Sequence, residues 1–566
     1  MASMSAVLLT TILFPVAGAF LVRGSGRRAR ENALISSLFV LGMAAVLAVK
    51  FPGGVEPFAV FDYPWLGSAG APVDIRFSLA LDGLSLWLFA LTALLTVVAV
   101  LVSWEAVGER APAFYGLLLL LEAGMLGVFA ARDIILFFLF FEFTLVPLFF
   151  LIGIWGSDQR RWAAIKFFLF TMAGSVLTFL GLIALVLWDY SHSPSGTMTF
   201  SIAQLTENLA ARPMPPTVQM AVFLALFAGF AIKVPLVPLH TWLPLAHVEA
   251  PTAGSVLLAG VLLKVGSYGF VRFALPMTPD AVVASMPWLL GLAVAGIVYG
   301  ALVALAQKDI KRLIAYSSVS HLGFCMLGVF ALNRLGIEGG VLQMVNHGLA
   351  TGGLFAVVGM LYERFHTRRI DDLGGLARPL PRLATFMVVL TLASIGLPGL
   401  NGFVGEFLLL LGMFQRAWGD APPMWAGAFR VIAVLAVSGV VLGAWYMLQL
   451  VQRVFFGPPR TPPQPHPEGH ESPPVRDLCA REIVALAMPV VFILWIGLQP
   501  RVFLDRMSPT LERILRPASQ SLSMGGMPSL GAAEGRHGRD HGDSHAQPTL
   551  RVVRACHPIC VPSEGR

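Results

Sequence analysis

The stretch FAIKVPLVPLHTWLPLAHVEAPTAGSVLLAGVLLKVGSYGF, residues 230–270, joins two apolar segments through a proline-interrupted run, and each segment carries a lysine, Lys233 and Lys264. Pro235 and Pro238 remove backbone donors from an otherwise helical pattern, so the helix holding Lys233 is expected to be discontinuous. Lys264 has apolar residues on its N-terminal side and glycines on its C-terminal side. Neither lysine has an aqueous flank in sequence. If these segments cross a membrane, each charge costs about 2.5–3.5 kcal/mol to insert. A broken backbone at that depth is tolerated only where protein or a water-filled cavity satisfies the freed groups.

The rest of the chain shows that they do cross one. Of 566 residues, 56% are hydrophobic and 13% charged, against about 25% charged in soluble domains. Apolar runs of about 20 residues, long enough to span a hydrocarbon core as a helix, recur along nearly the whole length. They are rich in Leu, Ala, Val and Phe without a strict period of two, which excludes a β-barrel. Candidate spans lie near residues 4–22, 33–50, 79–103, 112–131, 133–153, 164–188, 217–240, 252–274, 285–306, 310–331, 339–362, 382–414, 428–452 and 482–500. The expected fold class is an all-α polytopic membrane protein with about fourteen transmembrane helices. The twelfth span is interrupted in SIGLPGLNGFVGEF, residues 394–407, by Gly396, Pro398, Gly399 and Gly402. Broken helices at corresponding places in two halves point to two inverted five-helix repeats, spans 4–8 against spans 9–13. The expected organisation is N-terminal helices in 1–111, a first repeat in 112–274, a second in 285–456, a proline-rich linker in 457–481, a last span in 482–504 and a disordered tail in 505–566.

The net charge of +7 is positional information rather than a nucleic-acid patch. Loops on one side hold Arg23, Arg27, Arg28 and Arg30, then Arg160 and Arg161, then Lys308, Lys311 and Arg312, then Arg364, Arg368, Arg369 and Arg378. Opposite loops hold scattered cations such as Arg76, Arg212 and Arg334. Positive-inside bias puts the first set in the cytoplasm and both termini on the periplasmic side of a bacterial inner membrane. The first apolar run has arginines after it and no positive residue before it, and reads as an uncleaved span. Cys325, Cys479, Cys556 and Cys560 lack the paired spacing of a zinc or iron–sulfur site. His537, His541, His545, Cys556, His557 and Cys560 could hold a metal, although a His-rich tail is more often simply solvated.

Ionisable residues inside spans mark ion or proton pathways by default. Here they are Glu142, Lys233, Lys264, His321, His347 and Glu406, with Glu122 open to a structural or a functional reading. Plainer readings stand beside the functional one: a static Lys233–Glu142 pair, satisfied core histidines, and a helix cap at Glu406. Burial and neighbouring charge together set whether a lysine holds its proton. A Lys233 that moved between Glu142 and Lys264 would therefore load or eject a proton at Lys264, and histidines suit the onward relay because each ring both accepts and donates.

Four stretches carry a resemblance: residues 230–270, GVFAARDIILFFLFFEFTLVP at 127–147, QKDIKRLIAYSSVSHLGF at 307–324 and LASIGLPGLNGFVGEF at 392–407. Across residues 1–505 the chain resembles the antiporter-like proton-pumping subunits of respiratory NADH-quinone oxidoreductase, complex I, most closely those of the M type (chain 4). The resemblance implies that Glu142 pairs with Lys233, that Lys264 is the central protonation switch, that His321 and His347 continue the route, and that Glu406 is its last acid. It implies no cofactor and no metal in this chain, with NADH, FMN, iron–sulfur clusters and quinone held elsewhere in the complex. The implied partners are other membrane-arm subunits, including sister antiporter-like chains, together with the lipid bilayer and protons, and no nucleic acid. Sister pumping chains and related cation/proton antiporter chains typically carry lysine where this chain has Glu406. A cation/proton antiporter subunit without redox coupling is the alternative, and a non-pumping membrane scaffold a third reading.

The loop arginines make the topology testable. Cysteines placed beside Arg27 and Arg28 are expected to resist membrane-impermeant thiol reagents in intact cells and to react after permeabilisation; labelling from outside would reverse the orientation.

Overall fold

The computed structural model describes residues 2–22, 26–67, 73–194, 196–460 and 475–524. Linker residues 461–474 and residues 525–566, with the six His and Cys of the tail's candidate metal set, lie outside the described residues.

Two helices, α1 (Ala2–Leu21) and α2 (Gly26–Lys50), pack on each other and on the helices that follow. A small β element then precedes the third span. β1 (Phe58–Leu66) pairs antiparallel with β2 (Val73–Leu81), and the two-residue β3 (Met198–Thr199) joins β2 in parallel. The span expected at 79–103 is therefore shorter at its front, since α3 covers Leu86–Val102. Its start is set by a turn in which the Ser85 N–H donates to Asp82 Oδ1 at 3.1 Å. A short acceptor side chain offers the backbone an alternative to the ladder, so strand gives way to helix there.

Next come α4 (Ala111–Ala130), α5 (Ile134–Phe143), α6 (Leu145–Trp155), α7 (Arg160–His192) and the short surface helix α8 (Ile202–Ala211). α5 begins on Asp133, whose carboxylate accepts from the N–H groups of Ile135 and Leu136 at 2.8 and 3.2 Å. The first break separates α9 (Pro216–Lys233) from α10 (Trp242–Glu249), and α11 (Thr252–Met277) follows. α12 (Pro279–Leu305), α13 (Ile310–Phe330) and α14 (Arg334–Phe365) lead to the second break, between α15 (Pro381–Ser394) and α16 (Asn401–Trp418). α17 (Ala426–Phe456), α18 (Ala480–Leu498) and α19 (Arg501–Ser523) complete the described chain.

Among the described residues twelve helices are long and apolar enough to cross a membrane, with α5 and α6 taken as one, and α3 and α15 are shorter apolar helices. A helix thus stands at every expected span. α11 and α14 bury their whole apolar window inside the protein, whereas α1, α17 and α18 bury 28–33% of theirs. The outer helices leave Phe20, Val49, Val441 and Leu498 exposed. Apolar surface of that extent is stable in hydrocarbon and a liability in water.

Successive loops gather at two ends. At one end the Ser157 N–H donates to the Glu249 carbonyl and the Ile310 N–H to the Arg368 carbonyl, both at 2.9 Å, among the arginine-rich loops. At the other end lie the hairpin, the Asp133–Ser201 bridge and α19.

α19 corrects the expectation of a disordered tail from residue 505. Phe503, Met507, Leu511, Ile514, Leu515 and Ala518 recur at helical spacing and are all buried. The Ser, Pro and Arg between them lower the mean hydropathy, which hides an amphipathic helix from a reading by composition. The helix is anchored where the Gly83 N–H donates to Thr510 Oγ1 at 3.1 Å, Trp87 Nε1 to the Phe503 carbonyl at 3.3 Å, and Ser521 Oγ to Asp280 at 2.6 Å.

The same end holds a buried ion network. Arg272 of α11 contacts Asp82 at 2.7 Å and donates to the Tyr268 hydroxyl at 3.0 Å, and Arg132 reaches Asp82 at 3.0 Å. On the hairpin, Arg76 and Asp62 make a half-exposed pair at 2.6 Å, and the Arg76 hydrogen bond holds the Asp62 carboxyl below the usual carboxylate range. These pairs differ in what their loss leaves behind. Asp82→Ala strands the buried Arg272 guanidinium and the part-buried one of Arg132 and is expected to destabilise the subunit by about 3 kcal/mol, whereas Asp62→Ala is expected to cost about 1 kcal/mol or less. Thermal release of the subunit from detergent-solubilised membranes measures both; equal losses would remove the network's claim to hold α3 against α11.

Candidate functional site

Lys264 lies in the middle of α11, in an α-helical stretch, Leu263–Gly269, with a wider turn before it and another after it. Leu258–Leu262 and Phe270–Ala274 are π-helical, with the Leu263 N–H reaching back to the Leu258 carbonyl and the Leu275 N–H to Phe270. Such wide turns are rare and concentrate at functional sites. Here the wide turn presents the Ala259 carbonyl to the Lys264 ammonium, which donates to it. The other partner of Lys264 Nζ is His347 Nδ1 of α14, at 2.6 Å. A fully buried amine is thus held by one carbonyl and one imidazole, with no carboxylate in contact.

The groups beyond His347 form a file. The rings of His347 and His321 are 5.6 Å apart, centroid to centroid. His321 Nδ1 lies 3.6 Å from Glu406 Oε1, and its Nε2 is hydrogen-bonded to Ser394 Oγ at 3.2 Å. Between the imidazoles sits a cavity of ≈ 10 Å³, lined by His321, His347, Gln343, Asn346, Thr351 and Ser394 among others, room for about one water. Among the described residues, His347 Nε2, His321 Nδ1 and Asn346 Oδ1, on three of the residues that line it, are buried without hydrogen-bond partners.

The second break shapes the far end. Gly396 has φ +71°, and a Cβ on it would lie 2.6 Å from Glu406 Oε2. Glycine satisfies both demands, a left-handed backbone and room for the carboxylate. The Leu397 N–H returns to the Leu392 carbonyl at 3.0 Å, so the interruption closes on itself.

At the first break, Lys233 is the last residue of α9, where the negative end of the helix dipole favours a cation. The Ala231 carbonyl freed by Pro235 accepts from the Leu236 N–H, and the Ile232 carbonyl that Leu236 thereby leaves accepts from Trp242 Nε1, both at 2.9 Å. The Lys233 ammonium donates to the Phe141 carbonyl at 3.3 Å and sits 3.1 Å from the centre of the Phe141 ring. Phe141 precedes Glu142 at the α5–α6 junction, where Thr144 Oγ1 donates to the same carbonyl at 2.9 Å. Lys233 and Glu142 thus belong to one junction, yet no ion pair within 4.0 Å joins them, and Glu142 Oε1 has no hydrogen-bond partner. The direct pair implied by the resemblance is replaced in this conformation by a backbone carbonyl and an aromatic face. Glu122 is buried in α4 with neither oxygen hydrogen-bonded, apart from the file.

Lys264, His347, His321 and Glu406 are therefore brought together, and Lys233 with Glu142 forms a second group. Several residues of the site escaped a search confined to ionisable groups at span centres. Gln343 and Asn346 are neutral, and the buried His247, stacked on Phe355 at 4.6 Å with both ring nitrogens unpartnered, sits near a loop. The amides had a signal, since polar residues at four and one positions before His347 in an apolar span need a buried partner as much as an acid does.

Residues 131–425, which hold all six candidate residues, match the family model described as NADH:quinone oxidoreductase/Mrp antiporter, TM. The chain belongs to this family. The NADH-quinone oxidoreductase subunit M of Rickettsia typhi is 38% identical over 484 residues, 85% of this chain and 91% of that one. The subunit M of Rhodobacter capsulatus is 39% identical over 521 residues, 90% and 96% of the two chains. A chain of the solved respiratory complex I from Thermus thermophilus with bound NADH superimposes with a TM-score of 0.77 at 34% identity, covering 90% of this chain and 99% of that one.

A lysine can both hold and release a proton, which makes it chemically distinct from a fixed cation. Arginine at position 264 stays charged. Lys264→Arg is expected to remove most proton uptake by vesicles carrying the assembled complex; parental uptake would show that a permanent charge suffices.

Proposed function

We propose that this chain is a proton-translocating membrane-arm subunit of an NADH-quinone oxidoreductase, coupling quinone reduction in other subunits to proton transfer along buried Lys, His and Glu. The observation that carries the reading is the file Lys264, His347, His321 and Glu406, with contacts of 2.6 and 3.6 Å at its two ends and the two imidazole rings 5.6 Å apart in its middle. The names of the relatives support the redox partner. The chain itself holds no redox site in this reading; NADH, FMN, iron–sulfur clusters and quinone belong to other subunits.

The chemistry follows from the geometry. Protonated Lys264 gives a proton to His347 Nδ1, and the imidazolium releases the one on Nε2 into the cavity toward His321. Ser394 Oγ, which lines the cavity and is hydrogen-bonded to His321 Nε2 at 3.2 Å, hands a proton to that nitrogen and takes one from the cavity, and His321 gives up the proton on Nδ1 to Glu406 Oε1. Each imidazole accepts on one nitrogen and donates from the other. Lys233 and Glu142 supply the bias: two unit charges 4 Å apart interact by about 4 kcal/mol at an effective dielectric near 20, about three decades of a protonation equilibrium. Moving the Lys233 ammonium off Phe141, toward Glu142 or toward Lys264, therefore decides whether Lys264 keeps its proton. In the orientation implied by the loop arginines, both termini face the periplasm of a bacterial inner membrane.

The alternative is a cation/proton antiporter subunit without redox input, for which the family's second name speaks; Glu406 in place of lysine favours the first reading. Proton uptake per NADH oxidised, normalised to assembled complex, tests the route. Glu406→Gln is expected to abolish most uptake and Glu406→Asp to keep part of it, since a titratable carboxyl remains. If Glu406→Gln pumps like the parent, Glu406 is a helix cap and the route ends elsewhere. Co-purification without NADH-quinone reductase activity would instead favour the antiporter.

A further inference from the structure

Glu406 does not meet His321 unaided. Gln343 of α14 donates from Nε2 to Glu406 Oε1 at 3.1 Å, the same oxygen that faces His321 Nδ1. Asn346, one turn further along α14, donates from Nδ2 to Gln343 Oε1 at 3.1 Å and to the Asn401 carbonyl at 2.8 Å. Asn401 is the first residue of α16, immediately after the second break; its side chain accepts from the Gly402 N–H at 2.9 Å and donates to the Asn346 carbonyl at 3.4 Å. All three amides are 2% exposed or less. They cross the backbone of α16 at Gly405, where a Cβ would stand 2.3 Å from Gln343 Oε1. A side chain at 405 would expel the amide.

The direction of this chain of hydrogen bonds is set by one group that cannot turn. A backbone carbonyl only accepts, so the Asn346 atom beside Asn401 O is its amide nitrogen. That nitrogen also meets Gln343 Oε1, which leaves Gln343 Nε2 to face the carboxylate. Flipping Gln343 would set two amide NH2 groups against each other and an amide oxygen against a carboxylate oxygen. The arrangement also turns Asn346 Oδ1, which has no partner, away from these donors and among the residues that line the cavity with His321 and His347.

We propose that Gln343 and Asn346 are positioning residues that aim Glu406 Oε1 at His321 and tie the geometry of that proton transfer to the broken segment at Asn401. The inference rests on the proton-transfer route proposed above. Movement of the α15–α16 break would move the Asn401 carbonyl, rotate Asn346 and, through Gln343, withdraw or present the accepting oxygen. The other titratable groups whose charge bears on Glu406 are Cys325 of α13 and Tyr446 of α17; neither hydrogen-bonds to it.

The test is Gln343→Met, which keeps the length of the side chain and removes both polar atoms, in the assembled complex. Removing a hydrogen bond to the charged carboxylate costs about a factor of ten, so proton uptake per NADH oxidised is expected to fall about tenfold and its pH profile to be displaced to higher pH by about one unit, because the charged form loses a donor. In a Glu406→Gln background the same substitution should add no further loss, because it acts through Glu406. If Gln343→Met prevents assembly, Asn346→Ala carries the test. It cuts the link to Asn401, leaves the Gln343–Glu406 bond in place, and is expected to displace the pH profile in the same sense. Parental uptake and an unmoved profile in whichever variant assembles, with Glu406→Gln inactive, overturns the positioning role and leaves the route standing. Parental uptake in Glu406→Gln overturns the route itself.

Discussion

A fully buried ammonium with no carboxylate in contact is the constraint around which the rest is arranged. Removing Lys264 from water is costly unless its donors are satisfied, and the satisfaction comes from two helices at once. α11 widens into a π turn to offer the Ala259 carbonyl, and α14 places His347 Nδ1 at 2.6 Å. Neither partner carries a negative charge that would neutralise the ammonium. The fully buried α11 and α14 then need a complete jacket of outer helices, and those outer helices meet lipid.

Broken helices serve this arrangement rather than weaken it. Each break leaves carbonyls without helical donors, and each is closed locally, by Trp242 and Leu236 at the first and by Leu397 at the second. What a break adds is a helix end inside the protein. At the first, the C-terminus of α9 receives Lys233; at the second, a glycine in left-handed conformation makes room for Glu406. The charge of Lys233 rests on Phe141, beside Glu142 without touching it, a position from which a small displacement changes its electrostatic neighbourhood.

The end of the molecule with the hairpin is built differently, from permanent charges that are fully engaged. Arg272 is on the same helix as Lys264, two turns on, yet it is paired with Asp82 and Tyr268 and held rigidly. One helix thus carries an ion-paired cation at its anchored end and, in its middle, one held by a carbonyl and an imidazole.

The sequence by itself determined the solvent of this protein, the positions of its spans, the two breaks and the six ionisable residues, because apolar length, proline and glycine placement, and charge at membrane depth act locally and leave a local record. Lys264, His321, His347 and Glu406 were legible as candidates on that ground. Only the tertiary structure decided which of them touch. The π turns around Lys264, the helix Arg501–Ser523 and the amides Gln343, Asn346 and Asn401 all answer to partners more than fifty residues away, or to a widened hydrogen-bond ladder that no residue type demands. The same distinction separates Lys233 from Glu142: each was recognisable alone, but whether an ammonium meets a carboxylate or an aromatic face depends on how two helix ends are packed.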